Sequence, residues 1–275
     1  MKRLLIIAAA VLVAIALASY FAETFAAKLI VMLALAVAAV VALLLQKRQC
    51  KKSLESQAAY FDLKTNLLKT SLDPHFLFNA INSVSYSIHK DDTNTASENL
   101  GTLSKLMRTS LENIGNFGHE LSTEVSFIKN YLALEKFRFK EQFDFTFKMM
   151  PYVNDMAKVP SFSIFCLIEN ALKKGVLSRQ EPGHIALTID EDKNNNTLVV
   201  TVADDGLFRN PKTDADQPHN VKVLNELITR LNAINDQKIT ISYSAKDRVE
   251  GEPRGCVAEM RIPLDFSYLL KPSVD

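Results

Sequence analysis

Two long apolar runs, residues 4–22 and 29–45, constrain this chain before anything else does. Each is long enough to cross a bilayer, and inside a bilayer every backbone N–H and C=O must be satisfied within the segment itself, which leaves the helix as the available form. Only a few residues separate the runs, Glu23 and Lys28 among them, so the pattern predicts a helical hairpin. Lys2 and Arg3 precede the first run, and Lys47, Arg48, Lys51 and Lys52 follow the second. The excess of positive charge on both flanks predicts a multi-pass protein of the inner (cytoplasmic) membrane, in contact with lipid, with both termini in the cytoplasm. The competing reading is a cleaved leader with Lys2-Arg3 at its head; it leaves the basic cluster after the second run without a purpose.

The remainder of the 275 residues is sufficient for one or two domains with a full-sized core. A net charge of +1 with no long basic block argues against a nucleic-acid partner. Cys50, Cys166 and Cys256 are scattered, which suits a reducing compartment rather than a disulfide framework or a zinc site. With eight glycines in all, a glycine-rich phosphate loop of the Walker type is disfavoured.

Residues 46–89 carry helical spacing, with Leu54, Phe61, Leu67 and Leu68 as core positions and an interruption at Pro74. Proline inside a helix removes a hydrogen bond and clashes with the preceding turn. Asp73 as an N-cap and Pro74 as the first residue of a new helix resolve the conflict. That restart presents His75 at a bend, with Asn79 one turn further along the same face. After the polar break at Asp91-Asp92-Thr93-Asn94, helical spacing resumes over 95–113 through Leu100, Leu103, Leu106 and Met107. Gly115, Asn116 and Gly118 predict a turn, and a further helix runs to about residue 140 with Glu120 and Glu124 near its start, where carboxylates suit the helix dipole.

Beyond residue 140 the pattern changes. Strands are expected at 143–148, 185–190, 197–202, 239–243 and 256–262, and helices at 160–174 and 220–235. Helices alternating with strand hairpins predict a two-layer α/β sandwich. Glu169 and Asn170 end an otherwise apolar helix, where a rigidly held oxygen makes a reasonable magnesium ligand; a solvent-facing helix end is the alternative. Asp204-Asp205-Gly206 follows a strand. Its acidic groups suit an exocyclic amine such as that of adenine, and an ordinary Asp-Gly turn is again the alternative.

The order of these motifs resembles the LytS-type sensor histidine kinases, which carry a Bergerat-fold (GHKL-type) ATPase domain. Asp73-Pro74-His75-Phe76-Leu77-Phe78-Asn79-Ala80-Ile81-Asn82-Ser83 is similar to the family's phosphoacceptor box, N-P-H-F-L-F-N and its continuation. Leu103 to Arg108, Leu121 to Glu124, Asn130-Tyr131-Leu132 and Glu135 to Phe139 resemble its conserved helical hairpin. Val159-Pro160 and Leu167 to Gly175 resemble the N box. The resemblance spans about residues 63–264. It implies a membrane-bound kinase of a two-component system that phosphorylates His75 from ATP and passes the phosphoryl group to an aspartate of a cytoplasmic response regulator. It implies a homodimer, and ATP and Mg2+ as cofactors. Asn170 would hold the metal and the nucleotide, Glu169 would position it or the nucleophile, Asp204 would bind adenine, and Lys174 and Gly206 would complete the nucleotide site. The organisation expected is two transmembrane helices over 1–46, a helical linker and phosphoacceptor/dimerisation region over 47–140, and an ATPase-like sandwich over 141–275.

The chain also departs from the family. Lys174 stands where the N box has histidine, Phe208 replaces the second glycine of the first glycine box, and Val221 and Val223 replace those of the second. Such glycines let backbone N–H groups approach phosphate closely. The departures leave a second reading open: a catalytically degenerate pseudokinase acting as a membrane-anchored dimerisation and signalling partner.

Overall fold

The computed structural model describes residues 2–71, 73–113, 115–179, 181–207, 218–249 and 252–270. The chain divides into two compact units, with the division between Ala58 and Ala59.

Helix α1 runs without interruption over Lys2–Ser71. This corrects the expected turn of the hairpin: both apolar runs lie on one continuous helix. The connecting residues Glu23, Thr24, Phe25, Ala26, Ala27 and Lys28 include no glycine, proline or asparagine to reverse the chain. Thr24 turns its hydroxyl back onto the helix, donating to the Tyr20 carbonyl at 2.9 Å. Among the described residues one stretch, Val11–Ile30, is long and apolar enough to cross a membrane. Its large side chains, Leu12, Ile15, Phe21 and Phe25 among them, are uncovered by protein.

In the second unit the end of α1 is followed by α2 (Pro74–His89). Asp73 caps α2 and Pro74 opens it, as the restart reading expects, with the Asp73 carboxylate accepting from the His75 N–H at 3.0 Å. α3 (Thr93–Glu112) starts with Asp92 accepting from Thr95 N–H at 3.1 Å. A short strand β1 (Gly118–Glu120) leads into α4 (Leu121–Phe139). Then come β2 (Phe143–Met149), β3 (Lys158–Pro160) and α5 (Ser163–Asn170), which continues as a π-helical segment over Ala171–Val176. β4 (Gly183–Asp192), β5 (Thr197–Leu207), α6 (His219–Ala233), β6 (Thr240–Val249) and β7 (Glu252–Pro263) complete the unit.

The main sheet has the order β2-β4-β5-β7-β6, with β2 parallel to β4 and the other neighbours antiparallel. Its buried face is built by alternation: Ile185, Leu187 and Ile189 on β4; Leu198, Val200 and Val202 on β5; Ala258, Met260 and Ile262 on β7. The apolar stripes of α5 and α6 share one core with that face, through Phe165, Ile168 and Leu172 and through Val223, Leu224, Leu227 and Leu231. This is the expected two-layer α/β sandwich. The small pairing of β1 with β3 is a feature the sequence reading lacks.

Candidate functional site

Aromatic packing fixes where α2 begins. Phe76 turns inward onto Tyr131 of α4, ring centroids 5.1 Å apart, and Tyr131 meets Phe165 of α5 edge-on at 4.9 Å. An inward Phe76 forces its neighbour outward, so His75 is exposed. The Asn79 amide nitrogen lies 3.1 Å from Nδ1 and 3.2 Å from Nε2 of that imidazole. The pairing of His75 with Asn79 across one turn is the one the spacing predicts.

The N-box residues lie beside this point. Glu169 is 6% exposed, so the solvent-facing alternative is corrected. The Lys173 ammonium donates to Glu169 Oε1 at 2.6 Å and to Asp73 Oδ2 at 3.2 Å. The Asn220 amide donates to Glu169 Oε2 at 2.8 Å, and its own oxygen accepts from Val221 N–H at 2.8 Å. Burial pulls the Lys173 ammonium toward neutrality, but Glu169 and Asp73 outweigh it and hold its pKa above the ordinary lysine value. These residues border a cavity of about 540 Å³, whose walls also carry Asn170, Lys174, Lys69 and the start of α6 at Pro218 and His219. A cavity of that size is in the range of nucleotide and cofactor pockets.

Asp204 and Gly206 lie apart from those walls, within β5 where the strand carries an irregularity in register between Asp204 and Leu207. The Asp-Gly turn alternative is therefore corrected. Asp204 is 3% exposed and accepts from the Gly206 N–H at 2.8 Å. Burial pushes its carboxyl up to about 6, against the opposing effect of the Gly206 and Cys256 backbone bonds. Asp205 accepts from His184 N–H at 2.8 Å and holds the start of β4.

Gly175 and Gly206 are both required by close approach. A Cβ on Gly175 would stand 2.6 Å from Asp204 Oδ1, and one on Gly206 would stand 2.2 Å from the Gly175 carbonyl carbon. Gly206→Ala is therefore expected to cost roughly 1–3 kcal/mol, the range for overpacking a filled interior. A lowered thermal unfolding midpoint of the purified chain checks this, and an unchanged midpoint would mean that this approach can relax freely.

Val221 and Val223 are buried within the first turns of α6, and Val223 belongs to the apolar core. They serve packing rather than the cavity wall. Phe208 falls outside the described residues. The sequence reading gave no individual role to Lys173 or Asn220. The i,i+4 spacing of Glu169 and Lys173 is the local signal that finds the lysine; Asn220 comes to Glu169 from 51 residues away and has none.

Comparison with known proteins bears on this arrangement. Residues 63–143, which hold His75 and the helices α2–α4, match the family described as histidine kinase. The Sensor protein LytS of Staphylococcus saprophyticus is 33% identical over 153 residues, covering 55% of this chain and 25% of that protein. The Sensor protein LytS of Enterococcus faecalis is 34% identical over 139 residues, covering 50% and 23%. The chain thus spans about a quarter of the length of these curated relatives. A histidine kinase domain from the Erythrobacter litoralis EL346 blue-light activated histidine kinase aligns over 74% of this chain and 96% of its own, at 14% identity and a TM-score of 0.40. The matched segment is similar to the histidine kinases. Among them, the chain is a relative of the LytS-type sensor histidine kinases.

Proposed function

We propose that this chain is a membrane-anchored sensor histidine kinase that phosphorylates His75 from ATP and donates the group to an aspartate of a response regulator. The observation that carries the reading is the adjacency of the two half-sites. An exposed histidine stands at the restart of α2, and the cap of that restart, Asp73, lies against the cavity that holds Glu169, Asn170 and Lys173.

Phosphoryl transfer asks a protein mainly for positioning and charge neutralisation. A neutral imidazole supplies one unprotonated ring nitrogen, which bonds to the γ-phosphorus as the bond from that phosphorus to the ADP oxygen breaks. Lys173 and Lys174 offset phosphate charge, aided by the α6 N-terminus. The Asn170 side-chain oxygen would hold the magnesium. The described residues offer no cluster of three His, Cys, Asp or Glu, so phosphate oxygens and water would complete the coordination, as is common for this ion. Glu169, held by Lys173 and Asn220, keeps this wall in shape. Asp204 is assigned to adenine, with Gly206 beside it. With Val221 and Val223 turned into the core, the lost glycines need not obstruct the cavity, which favours the active reading over the pseudokinase.

Anchoring is assigned to the apolar stretch Val11–Ile30 in lipid. A homodimer is assigned to two uncovered apolar stripes in the second unit: Phe78, Ile81 and Ile88 on α2, and Leu100, Met107 and Leu111 on α3. Each stripe repeats at helical spacing on a face away from its own core.

The test is calorimetric titration of the full chain in nanodiscs with ATP and magnesium. Saturable binding is expected, weakened about ten- to hundredfold by Asn170→Ala, the loss of a contact to a charged group, and weakened also by Asp204→Asn. A folded chain that takes up no nucleotide at millimolar concentration refutes the kinase reading.

A further inference from the structure

The family's box opens with asparagine, and this chain has aspartate there. Both residues cap helices well, so the cap alone does not require the charge. The extra charge has a partner: Asp73 Oδ1 accepts from the His75 N–H at 3.0 Å, while Oδ2 accepts from Lys173 at 3.2 Å. Lys173 in turn bonds Glu169 at 2.6 Å, and Glu169 accepts from Asn220 in the first turn of α6 at 2.8 Å. A continuous polar chain thus joins the histidine's backbone to the wall of the cavity. Asp73 and Lys173 are each about one-third exposed, at 34% and 39% of the side chain, so the contact is open to competition. The Lys173–Glu169 bond is internal to one helical turn and its carboxylate is buried, which makes Asp73 the more easily displaced of the two partners.

We propose that Asp73 is an internal anionic competitor for Lys173, a latch that holds the start of the histidine helix against the nucleotide cavity until a phosphate-bearing ligand takes the lysine. The inference rests on the nucleotide-site reading above and adds linkage to it. A phosphate that draws Lys173 away from Asp73 frees the first turn of α2. By reciprocity, whatever moves α2 away from Lys173 raises the cavity's affinity for phosphate. Asp73 is a positioning residue in this account; it touches neither the reacting nitrogen nor the phosphorus. Two routes to the latch are open, a ligand in the cavity and a shift of α2 itself.

The experiment uses the full chain in nanodiscs and the variants Asp73→Asn, Lys173→Gln and the pair. Asparagine keeps the cap oxygen and removes the charge, so α2 still starts at Pro74. ADP with magnesium is expected to bind Asp73→Asn about two- to fivefold more tightly than the natural chain, the scale of a partly exposed ion pair. That gain is expected to vanish in the Lys173→Gln background. Equal or weaker binding by Asp73→Asn, or a gain that survives without Lys173, overturns the latch while leaving the nucleotide reading intact. If the natural chain binds no nucleotide, the nucleotide reading fails and amide exchange over residues 76–79 decides the latch instead. Either single variant should then speed exchange several-fold, with the double variant no faster than the singles. Independent, additive effects, or none, overturn it.

Discussion

His75→Gln is expected to abolish acid-labile phosphate incorporation from γ-labelled ATP while leaving the protein folded. The loss is expected to reach background, because the substitution removes the attacking nitrogen rather than weakening a contact. Stability should change by no more than about 0.5 kcal/mol, since the imidazole is exposed and the anchoring of this turn falls to its neighbour Phe76. Asn79→Ala is the graded control. It removes the amide at 3.1 Å from Nδ1 without removing the nucleophile, so labelling should be slowed and not lost. Label that persists in His75→Gln, stable or labile to acid, would sink the assignment of the acceptor.

The second large effect concerns stability. Glu124 is 0% exposed, and its carboxylate accepts from Phe162 N–H and Phe165 N–H, both at 2.9 Å, and from the His119 ring. It caps α5 from another helix. Phe162 stands before α5 with φ at +60°, and its hydrocarbon side chain has no acceptor with which to cap the helix. Glu124→Ala strands two backbone N–H groups at the start of α5 and a buried histidine together. The expected cost is about 3–5 kcal/mol, because each buried donor left without an acceptor costs about 1–3 kcal/mol, seen as a fall of roughly 10 °C in the thermal midpoint. Glu124→Gln keeps one acceptor but aims an amide N–H at a donor, so it should fall between. Because α5 carries Glu169 and Asn170, nucleotide affinity should drop with stability in both variants. A Glu124→Ala chain as stable as the natural one would show that the α5 start can be solvated or re-capped at no cost.

The two cases differ in how they could be read beforehand. His75, Pro74, Asp73 and Asn79 act on one another within two turns of chain, where proline sterics and helical spacing operate without help from the rest of the molecule. Glu124 looked like a carboxylate suited to the dipole of its own helix, and the backbone donors it caps lie 38 and 41 residues away. The same separation hid β1 and β3, three residues each, too short to show alternation and stabilised only by pairing across that distance. Asp204 was legible as a carboxylate at a strand end. That its carboxyl is buried behind Gly175 was not, because that depends on the π-helical segment lying over β5.

The expected hairpin erred for a related reason. Hydropathy reports where a segment is apolar, and residues 4–22 and 29–45 are; it does not report a turn. Glu23 and Lys28 break the apolar run but not the helix, since charged side chains are compatible with helical backbone.

The sequence by itself determined the elements that rest on local periodicity and covalent geometry: the helical form of the apolar runs, the restart at Pro74 with its outward histidine, the alternating strands and the apolar faces of α5 and α6. Tertiary structure alone decided what those elements meet. Asp73 came to Lys173 across 100 residues, Asn220 to Glu169 across 51, and Glu124 to the start of α5. Side-chain charge and helical position are local properties. The partner that neutralises a charge is chosen by the packing of a shared core, and no window of sequence contains both sides of that choice.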